Sequence, residues 1–94
     1  MNEQYFIYAI ASLKKNYIYV GMTGNVIQRV STHQYGKNKT TKPYLPFCLI
    51  YTETTENRRK ARAREKYWKQ ASGKRKLRII RKNIFEECGF DLPD

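Results

Sequence analysis

The alternation of hydrophobic and polar positions along the chain predicts three short strands. Residues 5–10 are aromatic and β-branched, residues 17–20 alternate Tyr with Ile and Val, and residues 47–51 form a third apolar run. The polar segment 12–16 lies between the first two runs, so these strands are expected to form a hairpin. Period-two alternation places the two tyrosines of the second strand on one face and its Ile and Val on the other.

A first helix is predicted after the second strand, from about Gly24 to Gln34. Thr23 precedes it and is suited to be its N-cap. Three apolar residues at helical spacing form the stripe expected to face the sheet: Val26, Ile27 and Val30. The segment 35–46 then carries Gly, two Pro and several Lys, which predicts a basic loop before the third strand.

Two further helices are predicted after the third strand. One runs from about Glu56 to Ala71, with Thr54 or Thr55 as its N-cap, and the Ser-Gly pair at 72–73 is expected to end it. The other runs from Lys74 to Arg81. The remaining residues could extend this helix or pack as a tail.

The order ββαβαα predicts an α+β domain with a small three-stranded antiparallel sheet flanked by helices. Ninety-four residues suit one domain, expected over 1–94 with its core at about 5–82 and a tail at 83–94. No apolar run is long enough to span a membrane, and the first residues lack a signal peptide's layout. We therefore expect a soluble, cytoplasmic, monomeric protein. Cys48 and Cys88, far apart in sequence, are expected to be reduced, partly buried thiols.

Positive charge is concentrated in the second half of the chain. The sequence has 19 Lys and Arg against 8 Asp and Glu, a net charge of +11, and most of the basic residues lie between Arg58 and Lys82. Such a field favours a nucleic-acid partner over a membrane surface, because these segments lack a broad apolar face, although a solvated basic face is the alternative. The residues expected to contact nucleic acid are Lys37, Lys39, Lys42, Arg58, Arg62, Lys69, Lys74, Arg75 and Lys76.

Glu65 is the one acid within the basic stretch. It lies four residues after Ala61 and three before Trp68, a spacing that places it on the inward side of its helix. A carboxylate there needs a cation or a metal ion as partner. An ion pair with Arg58 or Arg62 and a ligand role for Mg²⁺, which completes its shell with water and phosphate, are both open.

Four other residues could take part in chemistry. Arg29 and His33 lie one helical turn apart, so both can reach a site over the sheet. Tyr8 and Tyr19 lie in the first two strands, where most tyrosines are core residues with satisfied hydroxyls. Each of the four, taken alone, has an ordinary structural explanation.

Their joint spacing resembles that of the GIY-YIG nuclease superfamily. Phe6-Ile7-Tyr8 corresponds to the first signature tripeptide and Tyr19-Val20-Gly21 to the second. The segment from Gly21 to His33 resembles the family's strand-to-helix segment, with Arg29 at its characteristic arginine. The resemblance covers about residues 5–82, which is nearly the whole chain.

The closest resemblance is to the small standalone bacterial branch, which is related to the excision-repair nucleases. Lys39-Thr40-Thr41-Lys42 and Ala63-Arg64-Glu65-Lys66 resemble segments of these proteins. Phe6 replaces the first signature glycine, and Met22 and His33 stand where the excision-repair branch usually has lysine and tyrosine. The chain is therefore more similar to a freestanding relative than to a repair incision subunit.

The resemblance implies an endonuclease that hydrolyses phosphodiester bonds, with DNA the expected substrate. Glu65 would hold one Mg²⁺ or Mn²⁺, and Arg29 would stabilise the negative charge that develops on the phosphate. Tyr8 or Tyr19 would orient or deprotonate the attacking water, and His33 could accept the proton onward. These five side chains are expected to converge in one shallow, positively rimmed concavity over the sheet.

Other functions remain open at this level. A non-catalytic nucleic-acid-binding module of the same fold would keep the basic face and the inherited residues without cleavage. A basic structural protein, such as a ribosome-associated one, would explain the charge but not the spacing of the Tyr, Arg, His and Glu residues. Asn83 could be the late polar residue that the family often places near the metal.

Overall fold

The computed structural model describes residues 4–93, and it contains three strands and three α-helices. Residues 1–3 and 94, at the ends of the predicted domain, lie outside the described residues. The elements are β1 (Tyr5–Ser12), β2 (Ile18–Thr23), α1 (Val26–Gln34), a short 3₁₀ turn (Lys42–Tyr44), β3 (Phe47–Thr55), α2 (Arg58–Lys69) and α3 (Ala71–Cys88). The predicted order ββαβαα and the α+β class are confirmed.

The sheet is antiparallel, and β1 lies in its centre in the order β2-β1-β3. All three strands are longer than the hydrophobic pattern predicted. Gly21, one residue beyond the predicted second strand, lies inside β2 and pairs with Tyr8. The hairpin between β1 and β2 is held by Ser12, whose Oγ accepts hydrogen bonds from the backbone N–H groups of Lys14 and Lys15.

Helices cover both faces of the sheet. Ile7, Ala9 and Ala11 of β1 face a core formed with α2 and α3. Tyr8 and Ile10 face the other side, where α1 and the loop before β3 pack. Successive side chains of β1 point to opposite faces, so the strand separates an aliphatic core, beneath α2 and α3, from a more aromatic layer beneath α1.

The N-caps of α1 and α2 differ from those predicted. Asn25, not Thr23, caps α1, with its Oδ1 accepting from Gln28 N at 3.0 Å, and the Thr23 hydroxyl instead accepts from Asn25 N at 3.1 Å. Asn57 caps α2 in the same way, because Thr54 and Thr55 still belong to β3. Asn and Thr are both favoured N-caps, Asn the more so, and the predicted threonines are still part of the preceding strands, so Asn caps both helices.

The predicted apolar stripe of α1 is only partly buried. Val26 and Val30 pack on the aromatic layer, whereas Ile27 is 82% exposed. Starting α1 at Val26 rather than Gly24 leaves Ile27 in the first turn, on the solvent side.

The corner between α2 and α3 lies at Gln70, two residues before the break predicted at 72–73. Gly73 is buried in the first turn of α3, where a Cβ atom would lie 2.5 Å from Tyr67 O and 2.7 Å from Trp68 Cα. Glycine is needed there for close packing of one helix on the end of another, not to stop a helix.

The C-terminal residues left open by the sequence continue α3 as far as Cys88. Phe85 is fully buried against the sheet, and Gly89 ends the helix in the left-handed conformation, with φ 75°. Both cysteines are free, as expected, but Cys88 is exposed whereas Cys48 is half-buried. Within residues 4–93, no helix has the length and apolar character needed to cross a membrane.

We expect Gly73→Ala to destabilise the protein by about 1–3 kcal/mol, because the new methyl group meets backbone atoms that cannot move aside. In an unobstructed helix the same change stabilises by up to about 1 kcal/mol, so the sign is diagnostic. Gly24→Ala is the control, since nothing lies within 4 Å of its Cβ position. Urea unfolding of both variants measures the effect, and unchanged stability of Gly73→Ala would contradict the close packing.

Candidate active site

Tyr8 is the centre of the candidate site, because its side chain connects the sheet to α1. It is 1% exposed, and its hydroxyl lies 2.8 Å from His33 Nε2. The ring lies across Gly21 of the neighbouring strand, where a Cβ atom would be only 2.5 Å from Tyr8 Oη. Gly21 therefore leaves the space into which the Tyr8 ring leans. Gly21 belongs to the second signature tripeptide, but its contact with Tyr8 depends on the register of β2 on β1.

His33 is fully buried, and both ring nitrogens have partners. Nε2 meets the Tyr8 hydroxyl, and Nδ1 lies 2.7 Å from Thr41 Oγ1. Burial lowers the pKa of His33, and the nearby Arg29 guanidinium lowers it further. The imidazole is therefore neutral at neutral pH, with one nitrogen able to accept a proton.

Thr41 is a site residue that the sequence analysis missed. It is fully buried and meets His33, although it lies in the loop expected only to be basic. Asn38 shapes this loop, since its Oδ1 accepts hydrogen bonds from the backbone N–H groups of Thr40 and Thr41. The Asn-x-Thr-Thr pattern is a weak signal for such a turn, and nothing in it predicts the contact with His33.

Gln34 fixes α1 to the sheet beside this contact. Its side-chain amide donates to Phe47 O at 2.9 Å, and its carbonyl oxygen accepts from Phe47 N at 2.9 Å. Two hydrogen bonds between one amide and one backbone residue set the position of the C-terminal end of α1 on β3. The adjacent His33 is thereby held at a defined depth over the sheet.

Tyr19 and Arg29 border the Tyr8–His33 pair. The half-buried Tyr19 ring lies 6.2 Å from the Tyr8 ring and 5.1 Å from the imidazole, centroid to centroid. Arg29 lies exposed on α1, one turn before His33, and its charge acts on both Tyr8 and His33. The Tyr8–His33 pair thus has both a phenol and a guanidinium in its surroundings.

The neutral phenol is the stable form of Tyr8. Burial raises its pKa well above the ordinary value, and the neighbouring Tyr19 raises it further. Arg29 acts in the opposite direction, while Glu65 adds a smaller upward shift. Tyr8 is therefore suited to pass a proton through its hydroxyl, but not to exist as a free phenolate.

Glu65 reaches this site from the other layer of the domain. Its helix, α2, packs on the face of the sheet opposite Tyr8, so the five side chains do not all lie over one face as expected. The carboxylate is nevertheless close enough to raise the pKa of Tyr8. Because β2 is an edge strand and Gly21 has no side chain, we infer that Glu65 and Tyr8 approach each other at this edge.

The partner of Glu65 is Lys69, one turn later in α2, and not Arg58 or Arg62 as considered from the sequence. Lys69 Nζ lies 3.6 Å from Glu65 Oε2, and the Glu65 side chain is 23% exposed. A contact of this length between partly solvated groups is weak. The carboxylate oxygens of Glu65 therefore remain available to accept a further hydrogen bond or to bind a cation at the site.

A second acid lies beside α2 but is fully engaged. Glu53 of β3 pairs with Arg64, accepts from Tyr51 Oη at 2.8 Å and accepts from Trp68 Nε1 at 3.1 Å. The hydrogen bond from Arg64 is the main reason why the pKa of Glu53 is lowered to about 2. This network binds β3 to α2 and leaves Glu65 as the carboxylate available to the site.

The predicted nucleic-acid-binding residues fall into separate groups on the surface, and all of them are exposed. Lys69 and Lys74 line a cavity together with Tyr19, beside the candidate site. Arg58 and Arg62 line a different, shallower surface along α2.

The other predicted nucleic-acid-binding residues lie outside these two groups. Lys76 donates to Tyr67 Oη at 2.7 Å. The remaining predicted residues are Arg75 on α3, Lys37 and Lys39 in the loop after α1, and Lys42 in the 3₁₀ turn.

Asn83, which the sequence suggested as a late polar residue near the metal, is not part of the candidate site. Asn83 lies exposed on α3, and no hydrogen bond among residues 4–93 links it to Glu65 or to the tyrosines. No group of three or more His, Cys, Asp or Glu residues in this part of the chain could hold a metal ion by itself. A metal bound here would depend mainly on one carboxylate.

Comparison with known proteins identifies the family to which the chain belongs. The family model described as the GIY-YIG catalytic domain matches residues 4–78, so the chain belongs to the GIY-YIG catalytic-domain family. This is a nuclease domain, and membership implies cleavage of nucleic acid.

Similar proteins are found in several bacteria. A UPF0213 protein of Bacillus licheniformis is 38% identical over 80 residues, covering 84% of this chain and 80% of that protein. UPF0213 proteins of Clostridium perfringens and Staphylococcus haemolyticus are each 37% identical; they cover 87% and 82% of this chain, and 89% and 94% of their own lengths. No solved structure matches the chain. The predicted resemblance to small bacterial members of the family is confirmed.

The buried, neutral His33 should make stability depend on pH. Its pKa is lower in the folded state than in the unfolded chain. Below a pH of about 6.5, the unfolded chain therefore binds a proton at His33 that the folded protein does not. Stability should be complete above that pH and decrease below it, by at most about 1.4 kcal/mol per pH unit. His33 is the only histidine in the chain. Urea unfolding between pH 7.5 and about 5 measures this slope, which His33→Gln should remove; equal slopes in both proteins would contradict a neutral buried imidazole.

Proposed function

We propose that this chain is a divalent-metal-dependent endonuclease that hydrolyses phosphodiester bonds, with DNA as its substrate. The observation that carries the proposal is the environment of Tyr8, which lies 2.8 Å from a buried neutral histidine and within the fields of Arg29 and Glu65. One proton acceptor, one fixed cation and one available carboxylate are the groups that phosphodiester hydrolysis requires.

The proton of the attacking water leaves through Tyr8 and His33. In the tautomer that this path uses, His33 carries its proton on Nδ1, so that Nδ1–H donates to Thr41 Oγ1 and Nε2 accepts from the Tyr8 hydroxyl; the two contacts are 2.7 and 2.8 Å long. The water gives its proton to Tyr8 Oη as Tyr8 gives its own proton to Nε2, so no free phenolate forms. This path agrees with the raised pKa of Tyr8, and it makes Tyr8 the group that relays the proton, His33 the base that receives it and Thr41 a positioning residue.

Arg29 and Tyr19 hold the phosphate. The Arg29 guanidinium is exposed at the edge of α1, where its planar donors can contact two phosphate oxygens as negative charge develops. Tyr19, half-buried beside Tyr8, offers a hydroxyl that orients the attacking water or a phosphate oxygen.

Glu65 fits the role of ligand to Mg²⁺ or Mn²⁺. Its carboxylate is partly exposed and only weakly paired with Lys69, so one hard oxygen ligand remains available. A single protein carboxylate suits Mg²⁺, which keeps several waters and takes substrate phosphate as a further ligand. When bound, the ion polarises the phosphate and stabilises the leaving oxygen.

The compartment and the partner are part of the same proposal. A net charge of +11 supports a nucleic-acid partner, and two free cysteines suit a reducing cytoplasm, where the protein would act as a monomer. The competing function is a module that binds nucleic acid without cutting it. Nicking of supercoiled plasmid in Mg²⁺, compared with EDTA, separates the two.

Glu65→Gln should reduce plasmid nicking about 100-fold or more and leave the melting temperature close to that of the wild type. The amide keeps the shape of the side chain but loses the charge that holds a hard cation. Glu86→Gln, an exposed change of the same charge on α3, is the control and should retain activity. Full activity of Glu65→Gln, or strong cutting in EDTA, would overturn the metal-dependent mechanism.

Arg29→Lys should also lower the rate, by about 100-fold, because an ammonium group cannot reproduce the planar fork at the phosphate. DNA binding, measured by fluorescence anisotropy, should change little, since the positive charge remains. Arg59→Lys, an exposed change on α2, is the matched control. Full nicking activity of Arg29→Lys, equal to that of the control, would show that Arg29 contributes only its positive charge.

A further inference from the structure

A cavity of about 410 Å³ lies next to the candidate active site, between the edge strand β2 and the first turns of α3. Tyr19 lines it and also contacts the Tyr8–His33 pair. Lys69 lines it too and is the residue that contacts Glu65. Two residues that line the cavity therefore also contact residues of the candidate site, so the cavity and the site are neighbours.

The charged groups around this cavity are all positive. Lys69, Lys74 and Arg78 line it, and no carboxylate does. Lys74 and Arg78 lie four residues apart in α3, so their side chains project from the same side of the helix and repel each other. An anion between them would remove this repulsion.

Arg81, which contacts the cavity residue Asn16, is a buried cation that has no acidic partner among residues 4–93. It is 7% exposed, its Nε has no hydrogen-bond partner in residues 4–93, and none of the ion pairs in these residues includes it. Burial lowers the pKa of Arg81, and the charge of Arg78 lowers it further. A buried guanidinium in this state is costly, and a nearby anion would offset the cost.

Arg81 also fixes the orientation of a donor at the cavity wall. Its Nη1 donates to Asn16 Oδ1 at 2.9 Å, and Asn16 lines the cavity from the β1–β2 hairpin. Arginine has only donors, so the oxygen of the Asn16 amide must face Arg81. The Asn16 NH₂ group is thereby left to donate to a ligand.

We propose that this cavity is a second phosphate subsite, which binds the backbone phosphate next to the one being cut. Lys74, Arg78 and the Asn16 amide contact this phosphate, and Arg81 is a positioning residue that acts through Asn16. The assignment rests on the proposed nuclease function, because the position of the scissile phosphate is taken from Tyr8 and Glu65. It extends that function from one phosphate to two successive phosphates of a single strand.

Thymidine 3′,5′-bisphosphate and thymidine 5′-monophosphate test the subsite, because they differ by one phosphate and contain no internal bond to cut. Their affinities for the full chain can be measured by NMR titration in Mg²⁺. We expect the second phosphate to strengthen binding by about tenfold or more in the wild type, the gain typical of charge-assisted hydrogen bonds. In Lys74→Ala/Arg78→Ala this gain should fall to about twofold or less.

The control is Arg59→Ala/Lys66→Ala, which removes two exposed positive charges from the separate surface along α2. This variant should keep the full gain from the second phosphate. If Lys74→Ala/Arg78→Ala also keeps the full gain, or if the control loses as much, the cavity is not a phosphate subsite.

Asn16→Asp separates ligand binding from a purely structural role of the Asn16–Arg81 contact. It gives Arg81 a carboxylate partner, so the melting temperature should be at or above that of the wild type. It also replaces a donor at the cavity wall by a negative charge, so the gain from the second phosphate should be lost. A stable variant that keeps the gain would show that the contact serves only the fold.

These titrations do not depend on cleavage. Loss of the gain in Lys74→Ala/Arg78→Ala, together with a wild-type protein that fails to nick plasmid, would establish the cavity as a phosphate-binding site and overturn the nuclease mechanism. A full gain in that variant, found in a protein that nicks plasmid, would overturn the subsite and leave the nuclease mechanism standing.

Discussion

The hydrogen bond between Tyr8 Oη and His33 Nε2 connects the central strand to α1, and the arrangement of the candidate site depends on it. Both side chains are almost completely buried, so loss of either partner would leave a polar group without water or a replacement. Thr41 extends the contact into the loop before β3. One chain of polar groups thus fixes three segments that are far apart in sequence.

The two faces of the sheet differ in the side chains that they bury. The face covered by α2 and α3 supplies the aliphatic core, and the network around Glu53 ties β3 to α2. The face beneath α1 carries buried polar groups, which are costly unless they are fully paired. The stable aliphatic core allows the opposite face to hold tyrosine and histidine in fixed positions.

Much of the fold could be predicted from the sequence, because strand alternation and helical periodicity are local properties. The positions of the N-caps and of the α2–α3 corner could not, since they depend on how far β2 and β3 extend and how closely Gly73 packs on Trp68. For the site, motif spacing pointed to Tyr8 and His33, whereas Thr41 and the contact of Gly21 with Tyr8 depend on tertiary contacts. The pairing of Glu65 with Lys69 depends on side-chain conformation, which spacing alone does not fix.

The residues proposed for the site come from three layers of the domain. The tyrosines come from the sheet, Arg29 and His33 from α1 on one face, and Glu65 from α2 on the other. The distance from the Arg29 guanidinium to the Glu65 carboxylate therefore depends on how the two helices pack across the sheet. A small displacement of α2 along the sheet would change that distance without unfolding either core, so the alignment of the proposed catalytic groups is more sensitive to layer packing than the fold itself.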